Sequence, residues 1–134
     1  MRDSVFFDTN VLIYNYSNEE EKKEKSINLA AKNDGIISLQ VINEFVNVLK
    51  KKFKKKGDEI LDALAEIEAS FTIRGFSLDL IKRAVSLSSK YEYSYFDCLI
   101  IASAIDSSCS ILFTEDMQHN QLVEKKLRII NPFV

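Results

Sequence analysis

The sequence predicts an α/β fold built on a parallel sheet with helices on both faces. Three observations predict it. Short apolar, β-rich runs alternate with longer helical patterns, the order expected of right-handed βαβ units. The short runs are continuously apolar rather than alternating, which suits strands buried on both faces. Only 3 Gly and 1 Pro occur in 134 residues, too few for the tight turns of an all-β fold.

The first strand is read at Ser4–Phe7 and is followed by a helical pattern at Val11–Tyr16. The stretch Ser17–Glu24 is polar and reads as a loop leading into the helical pattern Glu21–Lys32. A second strand at Gly35–Leu39 precedes helices at Gln40–Phe53 and Asp58–Ala69. A third strand, Ser70–Ile73, carries the weakest pattern. Helices at Leu78–Ser88 and Tyr95–Asp106 then lead to strands at Ser110–Phe113 and Leu127–Ile130, with a shorter helix between them after Met117. No repeat or linker interrupts the series, so residues 1–134 read as a single domain.

No stretch approaches the ~18 uninterrupted apolar residues of a membrane span. The opening MRDSVFFDTN carries an acid near its start and does not read as a secretory signal. The expectation is a soluble, cytoplasmic protein with no membrane association. Cys98 and Cys109 lie in or beside apolar runs, with neither a CxxC partner nor a His at metal-ligand spacing, and read as reduced packing residues. The net charge of −2 gives no general support for nucleic-acid binding. Basic residues are nonetheless concentrated: six of the 18 fall between Lys50 and Lys56, interrupted only by Phe53.

Four acids stand out. Asp8 directly follows the first strand, and Asp-Thr-Asn is equally good N-capping chemistry for the helix beyond. Glu44 stacks between Val41 and Val48 on the edge of an apolar helical stripe, where a solvated surface acid is the ordinary reading. Asp97 opens a helix apolar nearly all round, and a buried carboxylate is costly unless paired or metal-bound. Ser94-Tyr95-Phe96-Asp97 also fits a capping pattern. Asp116 follows the fourth strand; it too fits a cap, and Glu115 competes with it as the significant acid.

Together they mean more. In a parallel sheet, the carboxyl ends of the strands and the N-termini of the following helices share one edge, where ligands bind. Four carboxylates gathered there repel one another, and a divalent cation removes that penalty. An all-oxygen set without His or Cys favours Mg²⁺ or Mn²⁺ over zinc. Such a site suits phosphodiester hydrolysis, with a metal polarising the phosphate and activating water.

At these residues the chain resembles the PIN-domain family, and within it the VapC-like toxin ribonucleases of VapBC-type toxin–antitoxin pairs. The resemblance lies in Phe7-Asp8-Thr9-Asn10-Val11-Leu12-Ile13, Ser38-Leu39-Gln40-Val41-Ile42-Asn43-Glu44-Phe45, Phe96-Asp97-Cys98-Leu99-Ile100-Ile101-Ala102-Ser103-Ala104, Ile111-Leu112-Phe113-Thr114-Glu115-Asp116-Met117-Gln118 and the closing Asn131-Pro132-Phe133. It implies a three-layer α/β/α sandwich around a central, mainly parallel sheet of four or five strands. It also implies an Mg²⁺- or Mn²⁺-dependent endoribonuclease, frequent homodimerisation and a small antitoxin partner. Carried over by position, Asp8, Glu44, Asp97 and Asp116 are the catalytic and metal-binding acids, with Asn10 and Thr114 as supporting polar residues. The chain departs from the family where glycine is usual, at Ser107-Ser108 before the fourth strand and at Asn120 after the last acidic motif.

Further residues have two readings. Lys50, Lys51, Lys54 and Lys55 are candidate RNA contacts, or a solvated helix end complementing the helix dipole. Phe53 continues the stripe of Leu49 and reads as packing rather than a base-stacking platform. His119 reads as a surface loop residue, and Tyr91, Tyr93 and Tyr95 as core or dimer packing. The alternatives to a toxin are an RNA-processing nuclease of the same fold without antitoxin and a non-catalytic interaction module. A phosphoacceptor receiver domain would need a second acid beside Asp8 and a Lys after the last strand; Thr9, Asn10 and Arg128 do not supply them.

Overall fold

The computed structural model describes residues 4–134; Met1–Asp3, part of the opening read as free of a leader, lie outside it. In chain order the elements are β1 (Ser4–Phe7), α1 (Thr9–Leu12), a 3₁₀ turn (Ile13–Tyr16), α2 (Glu20–Lys32), β2 (Asp34–Ser38), α3 (Leu39–Lys51) and α4 (Gly57–Ser70). They continue with β3 (Thr72–Arg74), α5 (Leu78–Lys90), α6 (Tyr95–Asp106), β4 (Ile111–Phe113), β5 (Leu122–Val123) and β6 (Leu127–Ile130). The sheet order is β3-β2-β1-β4-β6-β5, parallel throughout except for β5 against β6. Helices enclose this sheet in an α/β/α sandwich.

The strand order places the candidate site. The chain leaves β1 for β2 on one side, while β4 lies on the other, so the crevice beyond β1 and β4 is a topological switch point. The register there is tight: Phe6 faces Leu112 and Phe7 faces Phe113. One more bond, from the Asp8 N–H to the Phe113 carbonyl at 3.0 Å, carries the ladder up to Asp8. Around it the core is formed by Val5, Phe6, Phe7, Ile37, Leu112 and Ile129 from the sheet, with Val41, Phe45 and Leu49 from α3. Helix α6 is buried from Cys98 through Ala104, as its all-apolar sequence requires.

Four differences from the sequence reading have physical causes. No helix follows Met117. That segment turns back on itself and adds β5 as a sixth, antiparallel strand, drawn there by pairing Leu122 with Arg128 and Val123 with Leu127. Three residues connect the strands, and the first two, Glu124 and Lys125, have positive φ (52° and 57°) in a turn closed by the Lys126 N–H on the Val123 carbonyl at 3.0 Å, the left-handed geometry that hairpin turns favour. The Tyr91 hydroxyl accepts from the Glu124 N–H at 3.1 Å and donates to its carboxylate at 3.0 Å. Tyr93 bonds Gln121 and accepts from the Gln118 N–H, so these two tyrosines anchor the hairpin within the chain.

Second, α2 begins at Glu20, shortening the expected loop. Third, β3 is an exposed outer strand rather than one buried on both faces. Fourth, the positions where glycine was expected take left-handed conformations: Ser108 has φ 58° and Asn120 φ 69°. Ser108 ends α6, with the Cys109 N–H reaching back to the Ala104 carbonyl at 3.0 Å, a helix-ending turn in which glycine is favoured for want of a Cβ. Asn tolerates this region better than most residues. Among the described residues no helix is long and apolar enough to cross a membrane.

Candidate active site

Asp8 leaves β1 with extended backbone and caps α1, its carboxylate accepting from the Thr9 N–H at 2.7 Å. The capping and functional readings therefore describe the same side chain. The other carboxylate oxygen accepts from the Thr114 hydroxyl at 2.8 Å, across the switch point from the end of β4. Asn10 completes the frame. Its amide donates to Asp116 at 2.9 Å and to the Thr114 hydroxyl at 3.1 Å, with a longer contact of 3.4 Å to Asp8. Its carbonyl accepts from the Glu115 N–H at 3.0 Å. Asn10 and Thr114 thus cross-link the two strand ends that carry Asp8 and Asp116.

Glu44 and Asp97 approach from helices. Ser38 caps α3, accepting from the Val41 N–H, and Glu44 stands exposed on the face next to the buried stripe. The Thr9 hydroxyl donates to the Val41 carbonyl at 3.3 Å, tying α1 to α3. Gln40 donates to the Phe96 carbonyl at 3.0 Å, tying the start of α3 to that of α6. Ser94 caps α6 by accepting from the Asp97 N–H at 3.1 Å. Asp97 is only half-buried; the deeply buried acid of the set is Asp8, 5% exposed. Helix α6 is enclosed, but its first turn opens onto the rim, a position its hydrophobicity does not reveal.

Asp8, Glu44, Asp97 and Asp116 line one cavity of about 290 Å³, together with Thr9, Asn10, Ile13, Val48, Lys52 and Ile100. Burial pushes the Asp8 pKa up to about 6; hydrogen bonds from Thr114 and Thr9 oppose the shift, and the charges of Glu44 and Asp97 add to it. Asp97 is raised as well, first by burial and further by Asp116, against a hydrogen bond from Ser94. Like charges share this rim, and they disfavour the ionised forms of Asp8 and Asp97.

Glu115 faces elsewhere. Its carboxylate accepts from Lys22 at 2.8 Å and from the Tyr14 hydroxyl at 2.7 Å. Burial raises its pKa, but those two hydrogen bonds outweigh it and hold the group below the usual range. Of the two adjacent acids, the cavity receives Asp116. His119 is exposed, and its Nδ1 accepts from the Asn131 N–H at 2.9 Å. Cys98 and Cys109 are buried free thiols, both raised by burial.

None of Lys50, Lys51, Lys54 and Lys55 lines the acid cavity; Lys55 approaches Glu59 at 4.0 Å instead. The basic residue in its wall is Lys52. Helical spacing contained that signal, since 44, 48 and 52 are successive i+4 steps on one face.

Among the described residues, no group of three or more His, Cys, Asp or Glu side chains stands close enough to form a ready-made metal cage. The donor set nevertheless fits a hydrated Mg²⁺ or Mn²⁺. Its donors are all oxygens, and Mg²⁺ keeps several waters while taking one or two carboxylates directly. The raised pKa of Asp8 marks an electrostatic penalty that a cation would relieve.

A family model described as PIN domain matches residues 5–125. Among solved structures, a toxin–antitoxin complex from Klebsiella pneumoniae is 25% identical, with a TM-score of 0.72, covering 96% of this chain and 97% of that one. VapC20 from Mycobacterium tuberculosis, described as a sarcin–ricin-loop-cleaving toxin, shares the fold at 18% identity and a TM-score of 0.67, covering 84% of this chain and 89% of its own. VapBC2 from Rickettsia felis, solved with a promoter DNA fragment, is 21% identical with a TM-score of 0.65, covering 96% and 99%. No curated protein sequence matches the chain.

Proposed function

The chain belongs to the PIN-domain family, and on that premise we propose that it is an Mg²⁺- or Mn²⁺-dependent endoribonuclease, the VapC-like toxin of a VapBC-type pair. The observation that carries this reading is the convergence of four acids, from positions 8, 44, 97 and 116, on one cavity at the switch point of the sheet. The toxin assignment is supported by the solved toxin–antitoxin relatives, and an antitoxin partner follows from the same source.

In this reading Asp8, Glu44, Asp97 and Asp116 hold the ion. When bound, the ion would polarise the scissile phosphate and lower the pKa of the attacking water. The rest is supplied by the chain. Asn10 and Thr114 fix the carboxylates of Asp8 and Asp116 through the hydrogen bonds already described, as outer partners of metal ligands do. Thr9 and Thr114 each hold one oxygen of Asp8, and the carboxylate still borders the cavity. The ion must compete with a proton for Asp8, so cleavage should weaken below about pH 6.

The test is direct. Purified protein should cut RNA with Mg²⁺ or Mn²⁺, leave DNA of the same sequence intact and stop when the metal is chelated. Cutting that persists under strict chelation would sink the metal mechanism. Growth arrest on expression of the intact chain but not of Asp8→Ala, relieved by a co-expressed small neighbouring gene product, would support the toxin role.

A further inference from the structure

The acid cavity shares part of its wall with a second one. This neighbour, about 350 Å³, is lined by Tyr14, Ser17, Asn18, Glu19, Phe53 and Glu115, and the two share Asn10, Ile13 and Lys52. Among the described residues, Lys52 is the sole cation in the wall of either. Its ammonium stands 5.9 Å from the centre of the Phe53 ring and makes no ion pair with any described residue, although acids surround it. Glu115, by contrast, is already matched by Lys22.

The backbone holds Lys52 in that place. Helix α3 ends in a tight turn: the Lys52 and Phe53 N–H groups both reach the Val48 carbonyl, the Lys55 N–H reaches that of Leu49, and Lys54 takes a φ of 54°. A cation in the wall beside four carboxylates, and ion-paired with no described residue, is placed for an anion arriving from outside. The second cavity suits an uncharged group. It offers two aromatic rings and the polar Ser17 and Asn18, whereas Glu19 would repel a phosphate.

We propose that Lys52 binds the RNA phosphate next to the scissile one and that the second cavity takes the nucleoside attached to it. This rests on the endoribonuclease reading and names the substrate subsite of that same site. Lys52 is a substrate-positioning residue, and the base would lie against Phe53, since the Tyr14 ring already carries the Lys22 ammonium at 4.8 Å and a ring face suits any base.

The probe is a fluorescein-labelled single-stranded RNA of one defined sequence, bound to an Asp8→Asn background to prevent cutting. Adding Lys52→Gln should weaken binding and make the slope of log K against log salt shallower by about 0.7, the loss of one phosphate contact. Lys52→Arg should restore the slope. In the active chain, Lys52→Gln should raise KM with kcat little changed, the signature of lost uniform binding. With 2-aminopurine placed in turn along the RNA, one position should be quenched on binding, and Phe53→Leu should reduce that quenching. An unchanged slope and KM in a chain that still cuts RNA would overturn the Lys52 assignment alone. Absence of any quenched position would overturn the nucleoside cavity. A wild-type chain that neither binds nor cuts RNA would overturn the nuclease reading and this inference with it.

Discussion

The candidate site has two halves built in different ways. The strand half, Asp8 with Asn10, Thr114 and Asp116, is wired by side-chain hydrogen bonds of 2.8 to 3.4 Å across β1 and β4. The helix half, Glu44 and Asp97, is set by the packing of α3 and α6 and by caps at their first turns. In the first half one carboxylate, Asp8, is buried and each of its oxygens accepts a hydrogen bond; in the second Asp97 is half-buried and Glu44 exposed. The strand half is therefore pre-organised, and the helix half is free to adjust to whatever it binds.

The largest expected effect tests whether both halves are needed. Asp8→Asn and Asp97→Asn should each lower RNA cleavage by more than about a hundredfold, measured with Mn²⁺ at saturating substrate. Near-wild-type activity in Asp97→Asn would remove the helix half from the chemistry. Thr114→Val comes next. It removes the buried hydroxyl shared by Asp8, Asn10 and Asp116, and it should reduce activity roughly ten- to a hundredfold and stability by about 1–3 kcal/mol. An equal loss of activity from Gln40→Leu, which disturbs only the link between α3 and α6, would erase the contrast between the halves.

The third effect concerns pH. The Asp8 pKa is about 6 in the fold against an ordinary 3.8, so between these values the native state binds more protons than the unfolded one. Metal-free protein should therefore gain stability as pH falls through that window, by up to about 3 kcal/mol. Denaturant unfolding at pH 7 and pH 5 checks this. Asp8→Asn should flatten the dependence, and saturating Mn²⁺ should raise stability most at neutral pH. A metal-free chain less stable at pH 5 than at pH 7 would contradict the buried, charged Asp8. Smallest of all is Glu115→Gln. It breaks the contacts to Lys22 and Tyr14 at the surface, and it should change stability by about 1 kcal/mol or less and cleavage only a few-fold. A loss as large as that of Asp116→Asn would mean that Glu115 matters to cleavage as much as Asp116 does.

Much of this molecule was legible in the sequence because its signals are local. Apolar runs of strand length and helical stripes such as Val41, Phe45 and Leu49 need no distant partner to be recognised, and they placed most elements within a few residues. Asp8, Glu44, Asp97 and Asp116 could be gathered on one edge because parallel topology puts strand ends and helix starts together. What followed Met117 was not legible, since β5 exists only by pairing with β6.

The sequence by itself determined the α/β class, most of the strands and the four acids of one rim, through hydrophobic period and the alternation of strands with helices. Only the tertiary structure decided how those acids differ. Depth of burial depends on what other segments cover, so it chose Asp8 rather than Asp97 as the buried carboxylate. Side-chain direction depends on partners about a hundred residues away, so Lys22 and Tyr14 took Glu115 while Asn10 took Asp116. The turn ending α3 likewise set Lys52, rather than its five neighbouring lysines, into the wall of the acid cavity.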